Sequence, residues 1–232
     1  MILAAGLGRR MLPITEKVPK PLVRVGGMAL IDRSVAVLSK AGVKRIVVNV
    51  HHMADQIETH LAANQGPEII FSDERERLLE SGGGVVNALQ YFGDKPFFVV
   101  NSDSFWIEGF RPNLENMAKQ WDDKTMDGLL LLAGVTNAVG YSGMGDFDMD
   151  PQGRLSRRDE RKSAPFVYAG AAIFSPGLFS NAPEGPFSLN LLFDRALEHG
   201  RLFGVRLDGL WFHVGTPQSI REAEEAIARS AA

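Results

Sequence analysis

Between Ala4 and Pro21 the chain reads AAGLGRRMLPITEKVPKP. Gly6 and Gly8 flank a single residue, so the backbone there can turn sharply and approach a ligand with no Cβ in the way. Backbone N–H groups in such a turn can face phosphate oxygens. Arg9 and Arg10 follow at once, and Lys20 stands between Pro19 and Pro21. Prolines restrict the segment, and a rigid loop carrying a lysine suits a cation that meets a phosphate at fixed geometry. The competing readings are a tight strand-to-helix turn and a solvated lysine. The stretch is not a Walker loop, which ends Gly-Lys-Ser/Thr, nor the dinucleotide fingerprint, because Met11 stands where the third glycine belongs.

Two further groups could do chemistry with a phosphate ligand. "FFVVNSDSFW" is an apolar run that ends in Asn101-Ser102-Asp103. A carboxylate at the end of a buried strand sits where α/β proteins bind ligands. Mg²⁺ prefers oxygen ligands and takes one or two carboxylates together with substrate phosphates, so Asp103 is a candidate metal ligand; its alternative role is to cap the next element. "LLESGGGVVNAL" places Gly82, Gly83 and Gly84 at the start of a helical pattern. Three glycines cost helix stability; close approach by a flat ligand would justify them, and so would a flexible helix entry.

The elements that must position these groups alternate between strand-like and helix-like texture. Strands are expected at Met1–Ala5, Lys44–Val50, Glu68–Phe71, Pro96–Val100 and Gly128–Ala133, and helices at Ile31–Ala41, Ala54–Ala63, Gly83–Tyr91 and Asn113–Trp121. Asp32 could cap the first helix, and Gly42 would stop it. This alternation predicts βαβ units and a mostly parallel sheet. After about Val135 the pattern changes to a hairpin turning at Pro151-Gln152-Gly153, a strand at Phe166–Phe174, a helix at Ser188–His199, a strand at Leu202–Leu207 and a terminal helix at Pro217–Ala228. One domain, 1–232, is expected, its first half (1–134) binding nucleotide and its second (135–232) binding sugar as a lid or floor for the first half's site. Asn49, His51 and His52 close the second strand, where His51 reads first as structural. Asp146, Asp148 and Asp150 alternate on one strand face, but Pro151 and the lack of a downstream glutamate argue against an EF-hand.

The totals narrow the classes. The 232 residues carry a formal charge of −3, which gives no basic field for nucleic acid. No cysteine is present, which excludes disulfides, thiolate zinc sites and thiol nucleophiles. No apolar run reaches the ~18 residues of a membrane span. No signal-peptide pattern precedes the first motif, so the expected location is cytoplasmic. A nicotinamide dehydrogenase fails on the missing third glycine and on the ribose-binding acid due ~20 residues later.

"LAAGLGRRMLPITEKVPKPLVRVGG", Leu3 to Gly27, resembles the N-terminal signature of the sugar-1-phosphate nucleotidyltransferases, which join a nucleoside triphosphate to a sugar 1-phosphate and release pyrophosphate. The resemblance implies a three-layer α/β/α, Rossmann-like nucleotidyltransferase (GT-A-like) fold with a mostly parallel mixed sheet. It also implies that Leu3, Ala5, Gly6 and Gly8 wrap the triphosphate, that Arg10 assists pyrophosphate departure and that Lys20 contacts the reacting phosphates. Arg9 falls at a variable position. Glu80, Ser81, Gly82 and Gly83 match the segment that lines the base, and Asp103 matches the metal-binding aspartate. "WFHVGTPQSI" matches a Trp-x-Asp-x-Gly-Thr-Pro segment whose aspartate is the second metal ligand, but this chain has His213 there. Imidazole suits softer metals than Mg²⁺. His213 could ligate through nitrogen, contact a phosphate as a cation, or line the site while Asp103 and water hold the metal; the last two together fit best.

The sugar side is implied by Tyr168 and Gly170 of "FVYAGAAIF", by Asn190 of "FSLNLLF" and by Asn101. Relatives often carry Glu-Lys-Pro before this strand, whereas this chain has "RRDERKSAP", leaving Arg158, Glu160 and Lys162 as open candidates. The implied cofactor is Mg²⁺, with Mn²⁺ as the alternative. The implied partners are a nucleoside triphosphate and a sugar 1-phosphate, with no nucleic acid or membrane, in a monomer or homodimer. Within the family, "ESGGG", "FSLN" and the compact length are most similar to the N-acetylmuramate-1-phosphate uridylyltransferases of cell-wall recycling. The mannose-1-phosphate guanylyltransferases share much of the signature. A non-catalytic nucleotide-sugar sensor is the rival class, favoured by His213 and opposed by Arg10, Lys20 and Asp103 together.

Overall fold

The computed structural model describes residues 1–230; Ala231 and Ala232, the last two of the expected 1–232 domain, lie outside the described residues. The chain runs through β1 (Ile2–Leu3), β2 (Arg24–Val25), β3 (Met28–Ala29), α1 (Leu30–Lys40), β4 (Arg45–Val50), α2 (Ala54–Ala62), β5 (Glu68–Asp73), α3 (Glu80–Ala88), β6 (Phe97–Asn101), β7 (Ser104–Glu108) and α4 (Asn113–Gln120). It continues through β8 (Gly128–Gly134), β9 (Ala138–Val139), β10 (Phe147–Met149), β11 (Leu155–Arg157), β12 (Phe166–Phe174), α5 (Asn190–Glu198), β13 (Leu202–Arg206), β14 (Gly209–His213) and α6 (Pro217–Ser230).

The main sheet has nine strands and is mixed. β1, β4, β5 and β6 pair in parallel, as the alternation predicts, and so do β8 and β13. The antiparallel pairs involve the second half of the chain. β12 runs against β6 and β8, and the β10–β11 hairpin joins it at Phe147 and Phe166. The second half therefore does not form a separate lid: it inserts β12 beside β6 and shares one sheet with the first half.

Side-chain alternation along the strands builds two cores. Ile46, Val48 and Val50 of β4, with Leu129 and Leu131 of β8, face α1, α2 and α4. Val47, Leu130 and Leu132 face α3 and α5. Both sheet faces are covered by helices, which explains why "GLLLLAG" is apolar without interruption. The result is a three-layer α/β/α arrangement.

A second sheet, β7-β14-β9, was not legible as strands in the sequence. β14 pairs antiparallel with β7, placing His213 opposite Ser104. A third apolar cluster ties this sheet to α6 and to the glycine loop through Met11, which is fully buried among Leu30, Phe105, Phe212 and Val214.

Candidate active site

The carboxyl ends of β1, β4 and β6 lie side by side, with Leu3 in register with both Asn49 and Asn101. A cavity of about 610 Å³ opens over them. The glycine loop leaves β1 here. Ala4 is buried, and its N–H donates to Asn49 Oδ1 at 2.7 Å. Gly8 has φ +62°, and a Cβ there would stand 2.8 Å from Thr15 Cγ2, so only glycine fits. The Thr15 hydroxyl and the Met11 N–H both donate to the Gly8 carbonyl, at 2.9 and 2.8 Å. Gly6 is different: a Cβ there meets nothing within 4 Å, so its missing side chain leaves space open in the cavity. Met11, which spoils the dinucleotide fingerprint, is the residue that pins this loop into the core.

Lys20 begins a short turn between its two prolines, and its side chain is only 12% exposed. Its Nζ donates to Asp103 Oδ2 at 2.9 Å across 83 residues of sequence. Ser102 fastens the end of β6 to β1 by donating its hydroxyl to the Leu3 carbonyl at 2.7 Å. The Val214 N–H donates to the Asp103 carbonyl at 2.9 Å, which carries the β7–β14 pairing up to the site. Burial works against the charge on Asp103, but Lys20, His213 and Arg10 outweigh it and hold the carboxyl below its ordinary range. The His213 ring stacks on Trp211 and approaches Gly215, whose added Cβ would lie 2.8 Å from His213 Nε2 and 3.6 Å from Arg10 Nη1. Burial lowers the His213 pKa; Asp103 opposes that shift, while Lys20 and Arg10 reinforce it. Burial and the two neighbouring cations thus disfavour the protonated imidazole.

Two further cavities adjoin the first. One, of about 240 Å³, shares Ser81 and Asn101 with it and is lined by Tyr168 and Asn190. Tyr168 Oη is buried there with no protein partner among the described residues. The other, of about 670 Å³, shares Arg10 and Gly215 and continues past His213. Leu3, Ala5, Gly6, Gly8, Arg10, Lys20, Glu80, Ser81, Asn101 and Asp103 all line the first cavity, although they come from four separate stretches of sequence.

Three groups of expected residues sit otherwise. Gly82 and Gly83 are buried and line none of these cavities; their N–H groups both donate to the Phe187 carbonyl. A Cβ on Gly82 would strike the Phe187 ring, one on Gly83 the Gly185 carbonyl, and one on Gly84 the Glu74–Asn49 pair at 2.7–2.8 Å. The triplet therefore exists for protein packing, and its ligand-facing part is Leu78, Glu80 and Ser81. Gly170 (φ +85°) makes the irregularity in β12 and packs its bare Cα against Ser104 and Asn101 rather than lining a cavity. Arg158 donates to the Gly145, Asp159 and Lys162 carbonyls, Lys162 pairs with Asp159, and Glu160 is exposed. None of the three reaches the site. The residue that does is Arg157, one place earlier on β11. Period-two alternation turns it over the Phe147 ring at 4.8 Å, a signal that the sequence offered once the hairpin was recognised. Asp146, read only as part of a triplet, accepts the Tyr168 N–H at 2.9 Å and also lines the second cavity. His51 is structural: its Nδ1 lies 2.7 Å from the Glu74 carbonyl. Asp32 caps nothing and pairs with His60.

No cluster of three or more His, Cys, Asp or Glu side chains suited to a metal occurs among the described residues. Asp103 and the adjacent His213 are what the protein offers. One carboxylate on a cavity sized for phosphates fits a hard cation that completes its shell with substrate oxygens and water. Backbone amides, fixed cations and such a carboxylate together form a receptor for a polyphosphate, with a polar annex beside it.

Comparison with known proteins agrees with this geometry. The chain is 44% identical over 234 residues to the N-acetylmuramate alpha-1-phosphate uridylyltransferase of Caulobacter vibrioides, covering 99% of this chain and 97% of that one. It is 32% identical to the protein of the same name from Neisseria meningitidis, over 97% and 96% of the two chains. A mannose-1-phosphate guanylyltransferase catalytic subunit beta of Danio rerio is 30% identical over 94% of this chain, but this chain spans 61% of it. Among solved structures, HddC from Yersinia pseudotuberculosis superposes with a TM-score of 0.78 at 23% identity over 97% of each chain. A putative glucose-1-phosphate thymidylyltransferase from Bacillus anthracis superposes with a TM-score of 0.80 at 21% identity, over 98% of this chain and 94% of its own. Residues 1–230 match the nucleotidyl transferase family model, and the chain belongs to that family as a sugar-1-phosphate nucleotidyltransferase.

Proposed function

We propose that the protein transfers a uridylyl group from UTP to N-acetylmuramate 1-phosphate, releasing pyrophosphate. The observation that carries this reading is the 44% identity, sustained over nearly the whole of both chains, to an enzyme of that name. The guanylyltransferases are more distant and longer. In this reading residues 1–134 bind the nucleotide, and the second half, with Asn101, supplies the sugar subsite around Tyr168 and Asn190. The enzyme works in the cytoplasm as a monomer or homodimer; no helix among the described residues is long and apolar enough to cross a membrane.

The reaction is an in-line attack by an oxygen of the sugar phosphate on the α-phosphorus. That oxygen is already anionic near neutral pH, so neither a general base nor a covalent enzyme intermediate is needed. Catalysis then consists of alignment and charge screening. The Gly6–Gly8 backbone fixes the triphosphate. Lys20, held between prolines and oriented by Asp103, meets the reacting phosphates. Arg10, on the wall shared with the third cavity, draws the pyrophosphate away. Nucleotidyltransferases of this family generally use a divalent metal; Mg²⁺, or Mn²⁺ in its place, would be held by Asp103 and would neutralise phosphate charge when bound. His213 lines that position as a polar wall.

Pyrophosphate release, measured for four nucleoside triphosphates against muramic, mannose, glucose and heptose 1-phosphates, tests the proposal. The highest kcat/KM is expected for UTP with N-acetylmuramate 1-phosphate. A maximum for GTP with mannose 1-phosphate would replace it with the guanylyltransferase reading, and no release from any pair would leave a non-catalytic sensor.

A further inference from the structure

We propose that Arg157 selects the sugar substrate by binding a carboxylate carried on it. This inference rests on the reading of N-acetylmuramate 1-phosphate as substrate. N-acetylmuramate differs from N-acetylglucosamine by one group, a lactyl ether that ends in a carboxylate. The 1-phosphate, the acetamido group and the ring are common to both. An enzyme that separates the two by polar recognition reads that acid, and a guanidinium that donates charge-assisted hydrogen bonds is a strong way to do so.

The second cavity contains one cation among its lining residues, Arg157. Its guanidinium is set before any ligand arrives. Nε donates to Asp194 Oδ1 at 2.7 Å, and Nη2 donates to Asn190 Oδ1 at 3.1 Å. Its plane rests against Phe147, with Phe193 beyond at 6.0 Å. Nη1 has no protein acceptor among the described residues. Nη2 also donates to the Asn190 carbonyl at 3.4 Å, so the spare donors are those of Nη1; a planar guanidinium held in one orientation with Nη1 free is suited to a carboxylate and loses little entropy on binding one. The group that binds Asn190, at the start of α5, also explains why an asparagine expected to touch sugar is engaged with protein: it positions Arg157.

The rest of the cavity fits the remainder of such a sugar. Tyr168 Oη is buried and unpartnered, ready for a ring hydroxyl or acetamido group. Asp146 is the acid of this cavity and is anchored by the Tyr168 N–H. It disfavours a carboxylate at its own end and leaves Arg157 as the place for one. Asp194 shares the guanidinium but is half-exposed, so solvent screens its competition for the charge.

The test uses the intact enzyme with UTP, following pyrophosphate release. Two sugar substrates are compared: N-acetylmuramate 1-phosphate and the same compound with its lactyl carboxylate converted to the neutral amide. For the unaltered protein the acid is expected to exceed the amide in kcat/KM by roughly tenfold to a hundredfold, the range of one charge-assisted hydrogen bond. In Arg157→Gln this ratio falls to near one, through a raised KM for the acid. Arg157→Lys keeps the charge without the fork and retains an intermediate ratio. Thermal unfolding confirms that the variants fold. An undiminished acid preference in Arg157→Gln overturns the assignment to Arg157 while the substrate reading stands. Turnover of neither muramyl compound by the unaltered protein, together with turnover of an uncharged sugar 1-phosphate, overturns the substrate reading and this inference with it.

Discussion

Lys20 and Asp103 face each other at 2.9 Å, each holding the other's charge in a partly buried wall. Removing one leaves its partner uncompensated in the site and, in the proposed mechanism, removes a charged group that serves the reacting phosphates. Lys20→Ala and Asp103→Ala are each expected to lower kcat by ~10²–10³, as loss of a preorganised charge-stabilising group does, with circular dichroism unchanged; a near-normal rate in either would remove that residue from the mechanism. His213 gives a test in pH. Its pKa lies below the ordinary histidine value of ~6.5, so between those two values the unfolded chain binds more protons and stability rises with pH. The stability that His213 contributes as a neutral group is complete above ~6.5 and is lost as pH falls toward its folded pKa. Denaturant unfolding of the protein and of His213→Gln at pH 5–7 should show a difference that grows with pH, and a constant difference would mean that His213 is not held neutral.

At the scale of elements, the two glycines of the first loop serve opposite needs. Gly8 requires its positive φ and has Thr15 against it, so Gly8→Ala is expected to destabilise by ~1–3 kcal/mol and lower Tm by roughly 3–10 °C. Gly6 has no such constraint in the fold. Gly6→Ala should stay within ~0.5 kcal/mol of the parent yet raise the nucleotide KM severalfold, because the new methyl stands in the cavity. Equal Tm losses in the two variants would contradict this division. The same scale shows what the sequence concealed. Helices and parallel strands were readable from their periods, whereas "SFWIE" and "GLWFH" were absorbed into motifs and not recognised as the paired strands β7 and β14. The glycine triplet looked ligand-facing because its true neighbour, the 185–187 segment, lies a hundred residues away.

At the scale of the molecule, one buried network joins the site to the sheet. Asn49, on β4, accepts from the Ala4 N–H and donates to Glu74 Oε1, both at 2.7 Å. Glu74 is 2% exposed and also accepts the Leu79 N–H ahead of α3. Burial raises the Glu74 pKa despite these bonds. Asn49→Ala leaves a buried donor and a buried acceptor unpaired. A loss of ~2–4 kcal/mol is expected, read as a fall of roughly 5–15 °C in Tm, together with weaker nucleotide binding because the first loop loses its anchor. A Tm shift under 2 °C would show that water replaces the amide.

The sequence by itself supplied the candidates for the phosphate end. Gly8, Lys20 and Asp103 stood out because a glycine turn, a cation between prolines and a carboxylate after a buried strand are local features, each legible within a few residues; the resemblance to the family signature added Arg10 and the role of each. Alternation of strand and helix periods determined the α/β class in the same local way. The tertiary structure decided what depends on groups distant in the chain. It brought Lys20 onto Asp103 across 83 residues, set His213 beside them through β-pairing and lowered its pKa by burial. It also placed Arg157, rather than Arg158, on the second cavity by the face of a two-stranded hairpin. Orientation, burial and the proximity of distant charges are properties of packing, which no short stretch of residues specifies.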